Sequence, residues 1–496
     1  MMEENEILAR FLRSNLNLHP TALQELKRRQ AEVASIEELI SRVERSGARP
    51  EVITPEYLGS LKEAPKSIVV ERSRKRALAE EYQAEVRFLG DKDITKRSFS
   101  EGNIEGFVKY FNDRYERLAR VLRERNHLRD AITIERAKGS RGSVKVVGLV
   151  TDTRKSQKGN TILELEDPTG IIPVVLLSNN QELQKAASEI MKDEVIGIEG
   201  NMGREGDILL AKEVFLPDLP VGREPRRCEV PLAVAMLSDL HIGSQHFLER
   251  SFLKFLRWLG GDLGTKRQLE LAGRVKYLVI AGDLVEGVGV YPGQEDDLVI
   301  KDIFQQYQRA ADLLATLPEH MEIVIIPGNH DATRLGEPQP AIPEEFAPAL
   351  YASGRIHMVG NPSAFELHGV EALVYHGTSL LDVTSTVPGK SMEQPQGAME
   401  VLLRARHLAP TYGGKTQLVP EGLDYLTIDR MPDIFHTGHI HTVGVSKYKG
   451  VTLVNSGTFQ SETEYQRKQG LRPTPSKVPV LDLSNHNITI MNFLEA

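Results

Sequence analysis

Between Ser238 and His441 five short motifs place Asp, Asn and His just after apolar runs. They are Ser238-Asp239-Leu240-His241, Gly282-Asp283-Leu284, Gly328-Asn329-His330-Asp331, Tyr375-His376-Gly377 and Gly438-His439-Ile440-His441. The alternate spacing of Asp239 with His241, and of His439 with His441, points both members of each pair to one side of an extended segment. Mixed oxygen and imidazole donors suit Mn, Fe or Zn better than Ca or Mg. Two such cations sharing one carboxylate could activate a water and neutralise a phosphate during in-line displacement. Each motif alone has a blander reading as a loop carboxylate, an exposed imidazole or a common turn. Five of them in one order within one domain predict a binuclear metal site.

Such a site needs a frame that gathers distant loops, and the runs before the motifs supply one. LAVAMLSD leads to a predicted helix over 247–259, YLVIAGD to one over 298–316, and EIVIIPGNHD follows directly. Apolar strands alternating with amphipathic helices predict a layered α/β domain over 230–496, with ligands at the carboxyl ends of strands. Residues 143–216 hold five strand-like runs, VKVVGLVTDT, TILELED, IIPVVLL, VIGIEGNM and DILLAKEVFL, with the helical QELQKAASEIM between the third and fourth. That order predicts an OB-fold β-barrel over 141–220. Its acidity and its lack of strand aromatics favour a packing role over direct single-strand binding. Ahead of it, Ile104, Phe107, Val108, Phe111, Leu118 and Leu122 mark one face of a long helix in a lead-in over 103–140. Residues 1–45 read as a small N-terminal helical module, with Thr21/Gln24 and Ser35/Glu38 as capping boxes. Over 46–102 prolines recur and periodicity is weak, which predicts a flexible charged linker. Its basic run ERSRKR at 71–76 reads as a solvated hinge in preference to a DNA contact.

Composition narrows the function classes. The 496 residues carry a formal charge of −8, most of it beyond residue 220, which argues against holding nucleic acid mainly by a basic surface. No stretch approaches the ~20 apolar residues of a membrane span, and the start MMEENEILARFLRS lacks a secretory layout. The lone Cys228 cannot form an internal disulfide. The expectation is a cytoplasmic, nucleoid-associated chain without a membrane partner.

The motif set resembles the calcineurin-like metallophosphoesterases, including the nuclease subunits of the double-strand-break repair complex. The resemblance implies one metal held by Asp239, His241, Asp283 and His441, and a second by Asp283, Asn329, His376 and His439, with Asp283 bridging. His330 would act as general acid or stabilise the transition state, and Asp331 would orient it by hydrogen bond. The order of helical module, linker, OB fold and phosphoesterase is similar to the small subunits of archaeal D-family DNA polymerases. Residues 104–496 are also similar to the B subunits of eukaryotic replicative polymerases, which have generally lost the ligands that this chain keeps.

That resemblance implies a metal-dependent 3′-to-5′ exonuclease acting on DNA, the proofreading subunit of a heterodimer whose large catalytic subunit carries polymerase activity. Cleavage polarity comes from the resemblance alone. The N-terminal module looks like a tethered recruiter of another replication factor. Two other readings stay open, a stand-alone metallophosphatase with the same metal chemistry and a non-catalytic scaffold for a polymerase. Outside the motifs, Phe255 and Trp258 read as core, His436 as a strand residue and Cys228 as without function. His246, after the first motif, is a candidate for lining the cleft, and Tyr291 and Gln294, on the glycine-containing loop after Asp283, are candidates for its rim, where the alternative is a loop that is simply mobile.

Overall fold

The chain divides into two compact units, residues 1–75 and 76–496. The computed structural model describes residues 4–14, 16–28, isolated positions between 40 and 55, 77–90, 92–468 and 470–494. In the first unit, helices Glu4–Arg13 and Pro20–Arg28 bury Ile7, Phe11, Leu16 and Leu26 with Ile40, Val43 and Ile53. Pro20 opens the second helix, where its missing N–H leaves no helical bond unmade. Thr21 does not cap that helix but sits within it, its hydroxyl 2.6 Å from His19 Nδ1. The Ser35/Glu38 pair and the basic run at 71–76 lie outside the described residues.

The second unit begins with a correction to the linker expected over 46–102. Residues 78–81 form a short 3-10 helix, and β1 (Val86–Phe88) pairs antiparallel with β11 (Ser363–Leu367). A three-residue edge strand has no periodicity of its own and is held from outside. The Glu85 amide donates to the Tyr277 hydroxyl at 2.8 Å, and buried Lys276 donates to the Tyr82 carbonyl at 2.6 Å.

The closed OB barrel comprises β2 (Ser143–Lys155), β3 (Thr161–Asp167), β4 (Gly170–Leu176), β5 (Val195–Met202) and β6 (Leu209–Phe215), in the order β2-β3-β4-β6-β5. Helix Gln181–Glu189 falls between β4 and β5, as the sequence predicts. The C-terminal α/β domain then adds β7 (Ala233–Leu237), β8 (Val275–Ala281), β9 (Glu322–Ile326), β10 (Ile356–Met358), β12 (Val370–Val374), β13 (Ile434–Thr437), β14 (Gly444–Tyr448), β15 (Val451–Asn455), β16 (Lys477–Asp482) and β17 (Ile488–Asn492). One sheet runs β10-β9-β8-β7-β16-β17 and the other β1-β11-β12-β13-β15-β14.

The sheets pack face to face through Met236, Val279, Ile326, Phe365, Val374 and Val454. Helices Glu249–Leu259 and Ile303–Ala315 cover the outer face of the first sheet with Phe252, Phe255, Trp258, Tyr307 and Leu314. Helices Leu380–Thr386 and Pro395–Ala405 cover the second with Leu380, Val383, Met399 and Leu402. This four-layer arrangement explains why β7 is apolar throughout and β8 nearly so, Lys276 and Tyr277 apart: strands buried on both faces have no solvent side to mark with polar residues.

The lead-in helix Ile104–Arg123, capped by Asn103 accepting from the Gly106 amide, buries only the later part of the face that its apolar pattern suggests. Ile104 is 82% exposed and Val108 54%, while Tyr110, Arg114, Tyr115, Leu118, Ala119 and Leu122 are buried. A buried arginine turns the helix. Arg114 donates through Nε to Asp424 at 2.7 Å, through Nη1 to the Pro410 carbonyl at 2.6 Å and the Asp193 carbonyl at 3.1 Å, and through Nη2 to the Tyr110 hydroxyl at 3.0 Å. One side chain thus ties the helix, the barrel and the C-terminal domain together. Its charge partner at this junction, Asp424, also accepts from His407 at 2.7 Å. Burial, followed by the neighbouring Arg114 charge, lowers the His407 pKa to about 4.

Arg114→Met leaves Asp424 buried without its cation, a change that typically costs about 3–5 kcal/mol. His407 is then the group left to supply positive charge. The thermal midpoint of the variant therefore falls below that of the parent, and the deficit is larger at pH 8 than at pH 5, where the imidazole protonates. Scanning calorimetry at both pH values checks this, and coincident melts would refute it.

Candidate metal centre

All seven predicted ligands lie just beyond the carboxyl ends of parallel strands. Asp239, Asp283, His376 and His439 each stand two residues past β7, β8, β12 and β13, and Asn329 three past β9. The β7, β8 and β9 neighbours run parallel, as do β12 and β13, so their loops open at one end of each sheet. The first sheet thus supplies Asp239, His241, Asp283 and Asn329, and the second His376, His439 and His441.

The backbone is bent to aim these groups. Asp239, His241, Asp283, His439 and His441 have φ of 54°, 52°, 51°, 67° and 58°. Left-handed backbone costs a residue with a Cβ about 1–2 kcal/mol, and such conformations persist only where the surroundings hold them. Here the loops hold one another. Asp239 N donates to Gly282 O at 2.9 Å, Leu240 N to Asp283 O at 2.8 Å, and Gly438 N to His376 O at 2.8 Å. The approach is close enough to require glycine at two positions. A Cβ on Gly328 would lie 2.2 Å from Asp283 Oδ1, and one on Gly438 would lie 2.7 Å from Asp239 Oδ2.

Three overlapping groups result among the described residues, Asp239/His241/His441, His241/Asp283/His330 and Asp283/His376/His439, each with its donor atoms within 4.8 Å of one another; the first and last form the two predicted clusters. His241 Nε2 lies 3.2 Å from His441 Nε2, and His441 Nε2 lies 3.3 Å from Asp239 Oδ1. In the second cluster His376 Nε2 is 3.4 Å from Asp283 Oδ2, 3.0 Å from Asn329 Oδ1 and 3.2 Å from His439 Nδ1. Asp283 Oδ2 is also 3.8 Å from His241 Nε2, which places this carboxylate between the clusters. Converging lone pairs with few donors among them fit cations. Protons compete for the same positions. Burial opposes charge on His241, but Glu286 overrides it and raises the pKa to about 9; on His376 burial is overridden by Asp283, to about 10. Burial and the His376 charge lower His439 to about 3, and the histidine charges outweigh burial to hold Asp239 and Asp283 ionised.

Further residues fix the rings and carboxylates. His376 Nδ1 donates to the Ala281 carbonyl at 2.8 Å, which leaves Nε2 as the lone pair toward the cluster. The His439 amide donates to Asp239 Oδ2 at 2.9 Å, and the His330 amide to Asp283 Oδ1 at 2.8 Å. Asp331 does not orient His330. Its carboxylate accepts from the Gly328 amide at 2.9 Å and the Tyr307 hydroxyl at 3.1 Å, propping the loop, while His330 Nδ1 meets the Glu286 carbonyl at 2.9 Å. Burial, then Asp283, raises Asp331 to about 6. His436 sits in β13 with Nε2 on the Ser456 hydroxyl, as a structural residue, and His246 bonds the Ser461 hydroxyl near the rim.

Two partners escape sequence reasoning. Glu286, 1% exposed, lies 2.9 Å from His241 Nδ1. Gln466 contacts His441 Nδ1 at 2.7 Å. Glu286 stands three residues past Asp283, and that acidic residue after Gly-Asp was the one available signal. Outer partners of metal-bound imidazoles are typically worth about 10–100-fold in metal affinity. Glu286→Gln therefore weakens Zn²⁺ or Mn²⁺ binding by roughly that factor in equilibrium dialysis; affinity equal to the parent would remove Glu286 from the centre.

Comparisons with known proteins agree with this architecture. Residues 234–443 match the family of B subunits of DNA polymerases alpha and epsilon, and residues 144–215 match the OB-fold nucleic acid binding domain. Among solved structures, a novel archaeal phosphodiesterase (12% identical) and Vps29 from Entamoeba histolytica (15%) each cover 52% of this chain, and 99% and 90% of their own, with TM-scores of 0.27. Scores this low add nothing to the strand order. The DNA polymerase II small subunit of Methanothermobacter thermautotrophicus is 41% identical over 99% of both chains. That of Archaeoglobus fulgidus is 40% identical over 96% of this chain and 95% of its own. With likeness running from end to end, this chain belongs to the family of small subunits of archaeal DNA polymerase II, the D-family enzyme.

Proposed function

We propose that this chain is a metal-dependent 3′-to-5′ exonuclease that proofreads for a two-subunit replicative polymerase, whose nucleotidyl transfer resides on a separate large subunit. The observation that carries the reading is the pair of donor clusters meeting at Asp283. Asp239, His241, Asp283 and His441 would hold one divalent cation, and Asp283, Asn329, His376 and His439 a second. When bound, the two cations supply Lewis acidity to the phosphodiester and offset the charge added in the transition state.

The protein's own groups do the rest. Asp283 is fixed by the His330 amide and stays ionised, as a shared ligand must. Burial lowers the His330 pKa, and with Nδ1 donating to the Glu286 carbonyl its Nε2 presents a lone pair that would take a proton from the attacking water and then deliver it to the leaving oxygen. Asp331 and Tyr307 keep the Asn329-His330 loop in place. The Arg114 junction favours a second, compatible role, in which the chain is also a rigid scaffold for its partner.

With Mn²⁺ the pure protein shortens an end-labelled single strand from its 3′ end. Asp239→Ala and His441→Ala each lower the rate by about 100-fold or more, since a lost ligand removes several kcal/mol of charge stabilisation. An intact strand, or variants that cleave as well as the parent, would overturn the reading. Deleting residues 1–60, which we assign to tethering a replication factor, leaves this rate nearly unchanged; a large loss counts against that assignment.

A further inference from the structure

The loop that leaves the Asp283 motif is exposed at Val288, Tyr291, Glu295 and Asp296, and three of its glycines, Gly287, Gly289 and Gly293, have φ of 76°, 77° and 79°. Its foot is nevertheless fastened. Gln294, 2% exposed, accepts from the Val290 amide at 2.9 Å and donates to the Glu286 carbonyl at 2.9 Å. The Tyr291 hydroxyl lies 3.1 Å from Glu286 Oε1 and 3.1 Å from Asp297 Oδ2. Anchored at that end, the ring stands with its centroid 6.2 Å from that of His330 at an interplanar angle of 64°, and the residue is still 37% exposed.

An aromatic ring held by its polar tip, with part of its surface in solvent, is already immobilised before any ligand arrives. Little entropy is lost when something stacks on it. The charge around it decides what that can be. Glu295, Asp296 and Asp297 follow within six residues and repel phosphates, so the rim favours an uncharged, flat group. His330 beside it belongs to the loop that also carries Asn329, so whatever stacks on Tyr291 is a neighbour of the phosphate under attack.

We propose that Tyr291 is a nucleobase subsite, its ring stacking on a base of the strand whose phosphodiester lies at the metal centre. This rests on the nuclease reading above and extends it to specificity. A strand offers a π-face next to its phosphate, which phosphoserine, phosphothreonine or a sugar phosphate does not, so the subsite selects nucleotide phosphates over those monoesters. The phenolic hydroxyl adds a link, because the Glu286 carboxylate it touches also touches His241.

The test uses the full chain, without metal, and a single-stranded oligonucleotide with 3′-terminal 2-aminopurine and a methylphosphonate last linkage. That linkage resists cleavage and brings no charge to the bare carboxylates. Stacking quenches the fluorophore. The parent quenches it, Tyr291→Phe keeps the quench because the ring remains, and Tyr291→Leu loses it and binds roughly 5- to 150-fold more weakly, the span for one base–aromatic stack. No quench in the parent, a quench kept by Tyr291→Leu, or equal losses in Tyr291→Phe and Tyr291→Leu would each overturn the subsite. An ordinary strand with Mn²⁺ separates the two ideas. Quenching without cleavage retains the subsite and removes the nuclease reading; cleavage without quenching does the reverse.

Discussion

Asp239 and Asp283 lie 0% and 2% exposed at the ends of neighbouring parallel strands, where an uncompensated carboxylate charge would cost several kcal/mol. The surrounding groups are arranged to offset that cost. Each carboxylate takes a backbone amide, from His439 and from His330, and each faces imidazoles brought from the other sheet. Protons on His241 and His376 neutralise the pair when no metal does, and a divalent cation supplies more positive charge in the same space. The same two carboxylates would therefore link folding to metal binding, because the sheets meet at a point that is comfortable only when positive charge is present.

That constraint also explains the strained loops. A carboxylate or imidazole two residues past a strand continues in the strand's direction unless the chain turns sharply, and the left-handed residues make that turn. Five bent residues are tolerated because the rest of the domain is built to resist relaxation. Both sheets are buried on two faces, and Thr458 and Phe459 grip the Asp239 carbonyl from β15's exit at 2.7 and 3.1 Å. The Gly328 and Gly438 contacts leave no room for a side chain, so those two loops have little freedom to open.

Much of this was legible in the sequence, for identifiable reasons. Ligands that follow apolar strands at fixed offsets leave a local mark, and the barrel's five runs with a helix after the third carry their own period. What the sequence hid depends on distant partners. β1 is three residues long and exists because β11 has an open edge. The lead-in helix buries Tyr110 and Arg114 beside Leu118 and Leu122, and leaves Ile104 and Val108 outside, because Arg114 finds Asp424, over three hundred residues later. Asp331 reads as a partner for its neighbour His330, but Tyr307, from a helix, and the Gly328 amide claim it instead. Glu286 leaves only its place three residues past Asp283 as a signal and Gln466 leaves none, because a group that braces an imidazole can come from anywhere in the chain.

The net charge of −8 takes on a narrower meaning beside these contacts. Grip by counterion release needs many surface cations aimed at phosphates, and several of this chain's arginines are used internally: Arg114 and Arg117 in the junction, Arg226 on Glu371 and Asp433, Arg355 on four carbonyls. Cations engaged in holding domains together are not free to hold a strand. The positive charge that meets a phosphate would then come from the metal centre, at one linkage, and the remaining contact from a flat ring that is indifferent to charge. A site of this kind would engage one nucleotide end at a time and release it readily, leaving the length of the duplex to a partner subunit.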